Sequence, residues 1–403
     1  MSIIFNYYGI ISFVLLLLVF GIIWQRQALF TVIDLFKVLS EEKEWISELK
    51  TPEDLLDYII AHPRDVSLVA YELSSSDQEI DYNSDLKRPL GSTIKILILA
   101  EYARQVEKGI LSPDELVNLD NIDIYYLPRT DGEAHPTALT ELRKKQYINT
   151  ANQIELRHVI WTMIRYSDNA ATDYLIGRLG RENLEHLIVR LNIKNQDVPL
   201  PIIGQILTWS NYTCEDSYGE RLNKYQAMSQ PAYAEEVYRL TEIWLHDEEF
   251  RDKQIKHITS NQWLEFKEQQ IMAEALNCKG TTSGYAQIME RIYRGLLISP
   301  TADKIMREYL EWPMEFSRNQ EQLDTFGAKG GSLAGILTEA WYMKPQTSTS
   351  ARVGALFFVN IPAGVWFKIL QSYIQQDFLY KLLTDDKFFD VVRERLLEGS
   401  RQM

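Results

Sequence analysis

The longest apolar run of the chain lies near its start. Residues 3–24, IIFNYYGIISFVLLLLVFGIIW, form 22 positions without a charge, which is long enough to cross a bilayer as a helix. No basic segment precedes the run and no small-residue cleavage site follows it, which favours an uncleaved anchor over a cleaved signal peptide. We therefore predict a transmembrane anchor at residues 1–25, followed by a charged helical stalk at residues 26–62.

Short apolar runs near both ends of the remaining chain predict strands. VSLVAYEL (66–73), the polar turn after it and EIDYN predict a β-hairpin. GILTEAWYM (335–343) and ARVGALFFVN (351–360) predict two further strands, and residues 368–403 a closing helix with a charged tail.

The middle of the chain has a helical pattern instead. A helix is expected from Ser92 to Gly109, where the glycine ends it. Residues 152–180 predict two helices with a polar interruption between them, and residues 281–296 predict a helix capped by a threonine. A helical insertion is expected at about 205–278. Together these elements predict an α/β (α+β) fold with two lobes over residues 63–403. One lobe contains an antiparallel sheet that is built from both chain ends and flanked by helices. The other lobe is all-helical.

Composition narrows the function. At 403 residues and 46% hydrophobic, the chain can bury a large core, and a net charge of -14 would repel a phosphate backbone, which argues against nucleic-acid binding. The six histidines do not fall at ligand spacing, so no metal or cofactor is expected. The two cysteines, Cys214 and Cys278, are compatible either with a disulfide or with two inert thiols.

A serine followed three places later by a lysine occurs four times, at Ser40/Lys43, Ser47/Lys50, Ser84/Lys87 and Ser92/Lys95. The first three pairs lie on charged helical segments or in a polar turn. Ser92 instead follows the helix breakers Pro89 and Gly91, at the start of a helix that is apolar nearly all round. One helical turn separates it from Lys95, which therefore lies on the same face. The alternative interpretation of this pair is a helix cap followed by a lysine that reaches solvent.

Two more short motifs follow in order. They are Ser167-Asp168-Asn169 and Lys329-Gly330-Gly331-Ser332, the second of which is expected just before the predicted strand at 335–343. With Ser92-x-x-Lys95, they resemble the signature of the class A β-lactamase-like and penicillin-binding serine hydrolases, and the likeness extends over most of residues 63–380. The resemblance implies an enzyme that cleaves an amide or ester, in a β-lactam or a cell-wall-like peptide, through an acyl-enzyme. It also implies a body that lies outside the cytoplasm, tethered to the lipid bilayer by residues 3–24. A monomer is expected, although no feature of the sequence sets the oligomeric state.

The resemblance and the chemistry of serine hydrolysis together give each motif residue a role. Ser92 is the expected nucleophile and Lys95 its base, with a pKa lowered by burial and by Lys329, while Ser167 relays a proton. The oxyanion is expected between the backbone N–H groups of Ser92 and Ser332. The residues expected to bind substrate are Asn169, Gly331 and Ser332, whereas Asp168 is expected to brace the loop.

Three departures from the family pattern leave the activity open. Gly330 replaces a hydroxyl residue that helps to bind a substrate carboxylate, so that contact is lost unless Ser332 supplies it, and Glu339 replaces a frequent arginine. The Glu-x-x-Leu-Asn motif, which supplies a water-activating glutamate in the family, has no clean match in this sequence. The candidates for that role are Glu220, from the nearest match, and Glu133, from the loop 126–143. His135 is another residue of this loop that could reach the cleft. A receptor on the same fold that binds a β-lactam or peptidoglycan without turnover is therefore an alternative.

Overall fold

The computed structural model describes residues 43–74, 79–260 and 263–401. The predicted anchor and residues 26–42 of the predicted stalk lie outside the described residues. Within those ranges, no helix combines the length and apolar character needed to cross a membrane.

In the described part of the chain, nine strands form one large sheet and two short ladders. In chain order they are β1 (Val66–Glu72), β2 (Glu79–Tyr82), β3 (Arg88–Pro89), β4 (Leu116–Asn118), β5 (Gln153–Glu155), β6 (Lys279–Gly280), β7 (Leu323–Leu333), β8 (Ile336–Pro345) and β9 (Arg352–Phe358). The large sheet has the order β2-β1-β9-β8-β7, and every neighbouring pair is antiparallel. The prediction of an antiparallel sheet built from both chain ends is confirmed.

Helices account for most of the remaining described residues. They are α1 (Lys43–Glu48), α2 (Pro52–Ala61), α3 (Lys95–Glu107), α4 (Asp120–Asp123), α5 (Ala134–Lys144), α6 (Leu156–Arg165), α7 (Asn169–Leu179), α8 (Arg181–Leu191), α9 (Ile202–Trp209), α10 (Tyr218–Gln226), α11 (Gln230–His246), α12 (Glu248–Thr259), α13 (Phe266–Leu276), α14 (Thr282–Arg294), α15 (Pro300–Leu310), α16 (Ser317–Gln322), α17 (Ala363–Ser372), α18 (Ile374–Thr384) and α19 (Asp386–Arg401). Two 3₁₀ turns, Gly91–Ile94 and Trp312–Glu315, complete the elements.

The large sheet is buried between two hydrophobic clusters. Helices α3, α6, α7, α14 and α15 pack on one face, and α2, α18 and α19 pack on the other. Strand β9 is buried at every position because both of its faces are covered. This explains why its sequence is a continuous apolar run rather than an alternating one.

The segment predicted as a stalk is helical in its described part, but it does not stand apart from the domain. Leu55, Tyr58 and Ile59 of α2 are at most 1% exposed and belong to the cluster that covers the outer face of the sheet. Burying such side chains stabilises the fold by roughly 1.5–3 kcal/mol each. The buried face of α2 is therefore part of the domain core.

Two further expectations are corrected. The Lys329–Ser332 motif lies inside edge strand β7 rather than before a strand. The closing helix at 368–403 is three helices, α17, α18 and α19. The first break occurs at Tyr373, whose φ of 57° is left-handed, and the second at the extended residue Asp385.

The helical stretch between α8 and β6 consists of α9 to α13. Its helices form two smaller hydrophobic clusters of their own. One of these clusters includes Ile336 at the start of β8, which joins the stretch to the sheet. The helical content predicted for residues 205–278 is present, with a first helix that begins at Ile202.

Candidate active site

The chain turns sharply into α3 through the 3₁₀ turn Gly91–Ile94. Gly91 has a left-handed φ of 51°, and a Cβ at this position would lie 3.1 Å from the backbone N of Ser332. Glycine is therefore required both by the backbone conformation and by the close approach of β7. Ser92 follows in the turn and is partly exposed, whereas Thr93, the next residue of the turn, is buried.

Lys95 has no exposed surface. Its ammonium donates to the backbone O of Ser167 at 2.5 Å, to Ser167 Oγ at 3.3 Å and to Asn169 Oδ1 at 2.8 Å. Burial lowers the pKa of Lys95 well below the ordinary 10.5, and the positive charge of Lys329 lowers it further. A lysine in this setting can act as a base near neutral pH.

The Ser167 hydroxyl lies between two ammonium groups. Lys329 Nζ donates to Ser167 Oγ at 3.1 Å from one side, while Lys95 Nζ approaches it at 3.3 Å from the other. Ser167 has a left-handed φ of 64°, which turns the backbone sharply between α6 and α7. The three residues form a continuous hydrogen-bonded chain along which a proton can move.

Lys329 is 4% exposed and also donates to the carbonyl O of Gly330 at 2.6 Å. Burial lowers its pKa to about 8, although the nearby Glu339 acts in the opposite direction. Because Lys329 and Lys95 are both buried and lie on the same hydroxyl, each disfavours the charged form of the other.

Asp168 braces this loop, as predicted. Its carboxylate accepts from the backbone N of Ala171 at 3.1 Å, which caps α7, and pairs with His135 Nδ1 at 2.9 Å. The other ring nitrogen of His135 is 3.0 Å from Asp123 Oδ1. Burial alone would lower the pKa of His135, but its hydrogen bonds to Asp123 and Asp168 outweigh burial and raise it to about 9. The charged imidazolium therefore holds the loop 126–143 against the Ser-Asp-Asn turn.

Two backbone segments meet where an oxyanion would be stabilised. A Cβ on Gly331 would lie 2.5 Å from the backbone N of Ser92 and 2.6 Å from the O of Leu90. The chain of β7 therefore lies directly against the 3₁₀ turn. The buried Thr338 ties them together, since its hydroxyl donates to Leu90 O at 2.8 Å.

The departures at positions 330 and 339 are a single packing feature. Gly330 and Glu339 face each other across β7 and β8, and a Cβ on Gly330 would lie 2.7 Å from Glu339 Oε2. Glu339 is 5% exposed and accepts hydrogen bonds from Trp341 at 3.0 Å, Gln376 at 3.2 Å and Gln375 at 3.4 Å. Its carboxylate is therefore fully engaged inside the domain, and burial raises its pKa.

The two candidate water-activating glutamates lie outside this cluster. Glu220 accepts from Ser217 N at 2.8 Å and from Ser217 Oγ at 2.6 Å, as the capping box of α10, and its carboxylate is in solvent. Glu133 is exposed at the start of α5. The loop that carries Glu133 does approach the site, through His135 and through Asp131, a residue that the sequence patterns did not single out.

Both cysteines are free thiols. Cys278 is buried with its Sγ 3.4 Å from Val198 O, and Cys214 Sγ lies 3.4 Å from Asp216 Oδ2. Of the two alternatives left open by the sequence, the structure contains the unpaired thiols.

Comparison with solved structures gives β-lactamases and PBP-A as neighbours. A β-lactamase from Sphaerobacter thermophilus is 16% identical, with a TM-score of 0.47, and the match covers 80% of this chain and 97% of that one. PBP-A is 15% identical, with a TM-score of 0.46 and coverage of 81% and 96%. A β-lactamase from Chitinophaga pinensis is 14% identical, with a TM-score of 0.47 and coverage of 81% and 98%.

The sequence matches no curated protein, but it does match a family model. The family model Beta-lactamase2, described as the Beta-lactamase enzyme family, matches residues 51–357. This match spans most of the chain and includes all three motifs, so the protein belongs to the β-lactamase enzyme family.

Proposed function

We propose that this protein is a serine hydrolase of the class A type, which cleaves an amide or ester through an acyl-enzyme at Ser92. The observation that carries the proposal is the position of the Ser167 hydroxyl between the buried ammonium groups of Lys95 and Lys329. A protein that only bound its ligand would have no need for two desolvated lysines around one hydroxyl, because their burial costs free energy.

In the proposed reaction, Lys95 takes the proton of Ser92 as the serine oxygen attacks the carbonyl carbon. The backbone N–H groups of Ser92 and Ser332 stabilise the oxyanion, and such a donor contributes roughly 3–4 kcal/mol to the transition state. Ser167 then delivers its proton to the leaving group and regains one from Lys95, which carries the proton taken from Ser92. None of the three hydrogen bonds of Lys95 goes to Ser92, so this contact forms when substrate binds, as catalytic contacts often do.

An acylating probe tests this proposal. We expect a fluorophosphonate or penicillin to form an adduct on Ser92, located by peptide mass spectrometry, and none in Ser92→Ala. Ser47→Ala is the matched control, because Ser47 has the same Ser-x-x-Lys spacing on the exposed surface of α1. Failure of every probe to modify Ser92 would remove the enzyme proposal.

We infer a substrate without the carboxylate that penicillins carry. Gly330 offers no hydroxyl to such a group, and Glu339 has its carboxylate buried against Trp341 and Gln376. Turnover of a p-nitrophenyl ester should therefore exceed that of a chromogenic cephalosporin. Rapid and complete cephalosporin hydrolysis would contradict this inference.

A receptor without turnover is the second candidate, favoured by the solvent position of Glu220, which leaves no glutamate from the family motif to activate water. The two candidates predict different fates for the adduct. An enzyme regains free Ser92 while substrate is consumed, whereas a receptor retains one acyl group per molecule.

We further propose that residues 3–24 anchor the protein in a membrane, with the domain outside the cytoplasm. The uncharged run in the sequence supports the anchor, and the chemistry expected of the family supports the side. Fractionation of cells with the full chain, followed by protease treatment of intact spheroplasts, tests both points. Recovery of the full chain in the soluble fraction would contradict the anchor.

A further inference from the structure

A narrow cavity opens directly beside the proposed catalytic cluster. One wall is the loop 125–131, another is the first turn of α7 with Asn169 and Asp173, and the third is the start of α9, where three isoleucines (Ile202, Ile203 and Ile206) line it. The space is sufficient for about one water molecule. Asn169 connects this space to the lysine, because its side-chain oxygen accepts from Lys95 at 2.8 Å.

Two carboxylates line the cavity, and one of them is fully committed. Asp173 is 2% exposed, and its two oxygens accept from the backbone N of Ile202 at 2.6 Å and of Ile203 at 2.7 Å. It fixes the start of α9 against α7 and acts as a structural acceptor. Burial raises its pKa to about 7.

Asp131 differs from Asp173 in exposure and in its partners. Its oxygens accept from the backbone N of Glu133 at 3.1 Å and of His135 at 2.9 Å, and the residue is only partly buried. A carboxylate oxygen accepts more than one hydrogen bond, so Asp131 can hold a water molecule as well. The ring of His135 is bound to Asp168, which places Asp131 in a fixed relation to the Ser-Asp-Asn turn.

We propose that Asp131 is the general base which activates the water that hydrolyses the acyl-enzyme, and that the cavity beside Asn169 holds this water. The inference rests on the proposed function at Ser92. It assigns the hydrolytic step to a carboxylate on the loop before the Ser-Asp-Asn turn, instead of Glu220 or Glu133.

The step balances with the groups present. The water oxygen bonds to the acyl carbon while one water proton passes to Asp131, and the oxyanion is held by the N–H groups of Ser92 and Ser332. The bond between the acyl carbon and Ser92 Oγ then breaks. The proton on Asp131 returns through water to the departing Oγ, so that one ester and one water give one acid and free Ser92.

The surroundings of Asp131 suit a base. Burial raises the pKa of its carboxyl, and the charge of Asp168 contributes to the rise, so the carboxylate binds a proton more readily than an exposed aspartate. The isoleucines of α9 form an apolar wall of the space, so a water held there has Asp131 and Asn169 among its polar neighbours.

The test measures acylation and deacylation separately in Asp131→Asn. Asparagine keeps one of the two acceptor oxygens that bind the backbone N–H groups of Glu133 and His135, but it cannot take a proton. With a p-nitrophenyl ester, we expect an unchanged burst of acylation and a deacylation rate lowered roughly 100-fold. The acyl-enzyme should then accumulate on Ser92 in intact-mass spectra. Glu220→Gln is the matched control and should behave as the wild type.

Unchanged steady-state turnover in Asp131→Asn would overturn the inference, and so would an equal loss in both steps. If Asp131→Asn does not fold, Ile206→Phe decides, because its ring would fill the water space and leave Asp131 intact. Slowed deacylation in that variant supports the inference, and an unchanged rate overturns it. Failure of the proposed function is distinguishable, since the wild type would then show no adduct on Ser92.

Discussion

The Ser92/Lys95 and Ser47/Lys50 pairs share a sequence pattern but not an environment. Lys95 has no exposed surface and donates three hydrogen bonds inside the domain. Lys50 is exposed just before α2, and Ser47 Oγ merely donates to the backbone O of Glu44 at 2.8 Å. The pairs differ in the desolvation of the lysine and in the presence of a second cation, and not in spacing, so we expect a reactive serine only at Ser92.

The largest difference between the two pairs is expected when Lys95 and Lys50 are replaced in parallel. Lys95→Met keeps the side-chain volume but removes the base, so we expect the acylation rate of Ser92 to fall roughly 1,000-fold. Lys50→Met should leave it unchanged. Stopped-flow measurement of the ester burst gives both rates, and a similar rate in the two variants would show that the burial of Lys95 has no catalytic consequence.

The contacts of His135 with Asp123 and Asp168 predict that the free energy of unfolding depends on pH. His135 binds its proton with a pKa of about 9 in the folded state and near 6.5 when unfolded. Folding therefore takes up a proton between these values, and the stabilisation is complete below pH 6.5 and lost as the pH rises through 9. We expect His135→Gln to lower the free energy of unfolding by about 3 kcal/mol more at pH 6 than at pH 10.

The exposed His246 is the control for this brace. It pairs with Glu242 at 3.1 Å on the surface of α11, with 77% of its side chain exposed. His246→Gln should change the free energy of unfolding little at either pH. Urea unfolding at both pH values gives the four differences, and a pH-independent cost at position 135 would contradict the charged brace.

The second cation predicts how the site responds to alkaline pH. Lys329 has a pKa of about 8, so its positive charge is lost as the pH rises above that value. Acylation of Ser92 should fall about tenfold for each pH unit beyond it. In Lys329→Arg the charge persists, because an arginine remains protonated. The falling limb should then disappear from the pH–rate profile, and its persistence would show that another group controls it.

The smallest effect is expected at Gly330, where the sheet departs from the family pattern. Gly330→Ala forces a Cβ to within 2.7 Å of Glu339 Oε2, so we expect the free energy of unfolding to fall by about 1 kcal/mol. Gly219→Ala is the control, because a Cβ there has no neighbour within 4 Å among the described residues. A Glu339→Ala background should abolish the cost at position 330, and thermal unfolding of the double variant checks this.

The elements with clear apolar runs and boundary residues could be predicted from the sequence. Strands β1 and β9 follow from short apolar runs of strand length, and helices α3 and α14 follow from longer segments bounded by glycine breakers or a Thr cap. Strand β7 could not be predicted in the same way. Its central Gly-Ala-Lys-Gly-Gly has no alternation of side chains, so only its ladder with β8 reveals the strand.

Side-chain environments made by distant residues were also beyond the sequence. Glu339 is satisfied by Gln375 and Gln376, on a helix more than thirty residues further along the chain. The importance of Asp131 depends on a cavity that forms only when α9 packs against α7. The Ser92, Ser167 and Lys329 motifs were recognisable because their order and local patterns are specific, but the distances between them required the fold.

The pH dependence of the acylation of Ser92 tests whether the buried Lys95 activates this serine. We would measure the rate of adduct formation with a fluorophosphonate from pH 5 to 11 and identify the modified serine by mass spectrometry. We predict modification of Ser92 alone, and the rate of adduct formation should rise at a pH well below the ordinary lysine pKa of 10.5. A rate that rises only near 10.5, or an adduct on another serine, would contradict it.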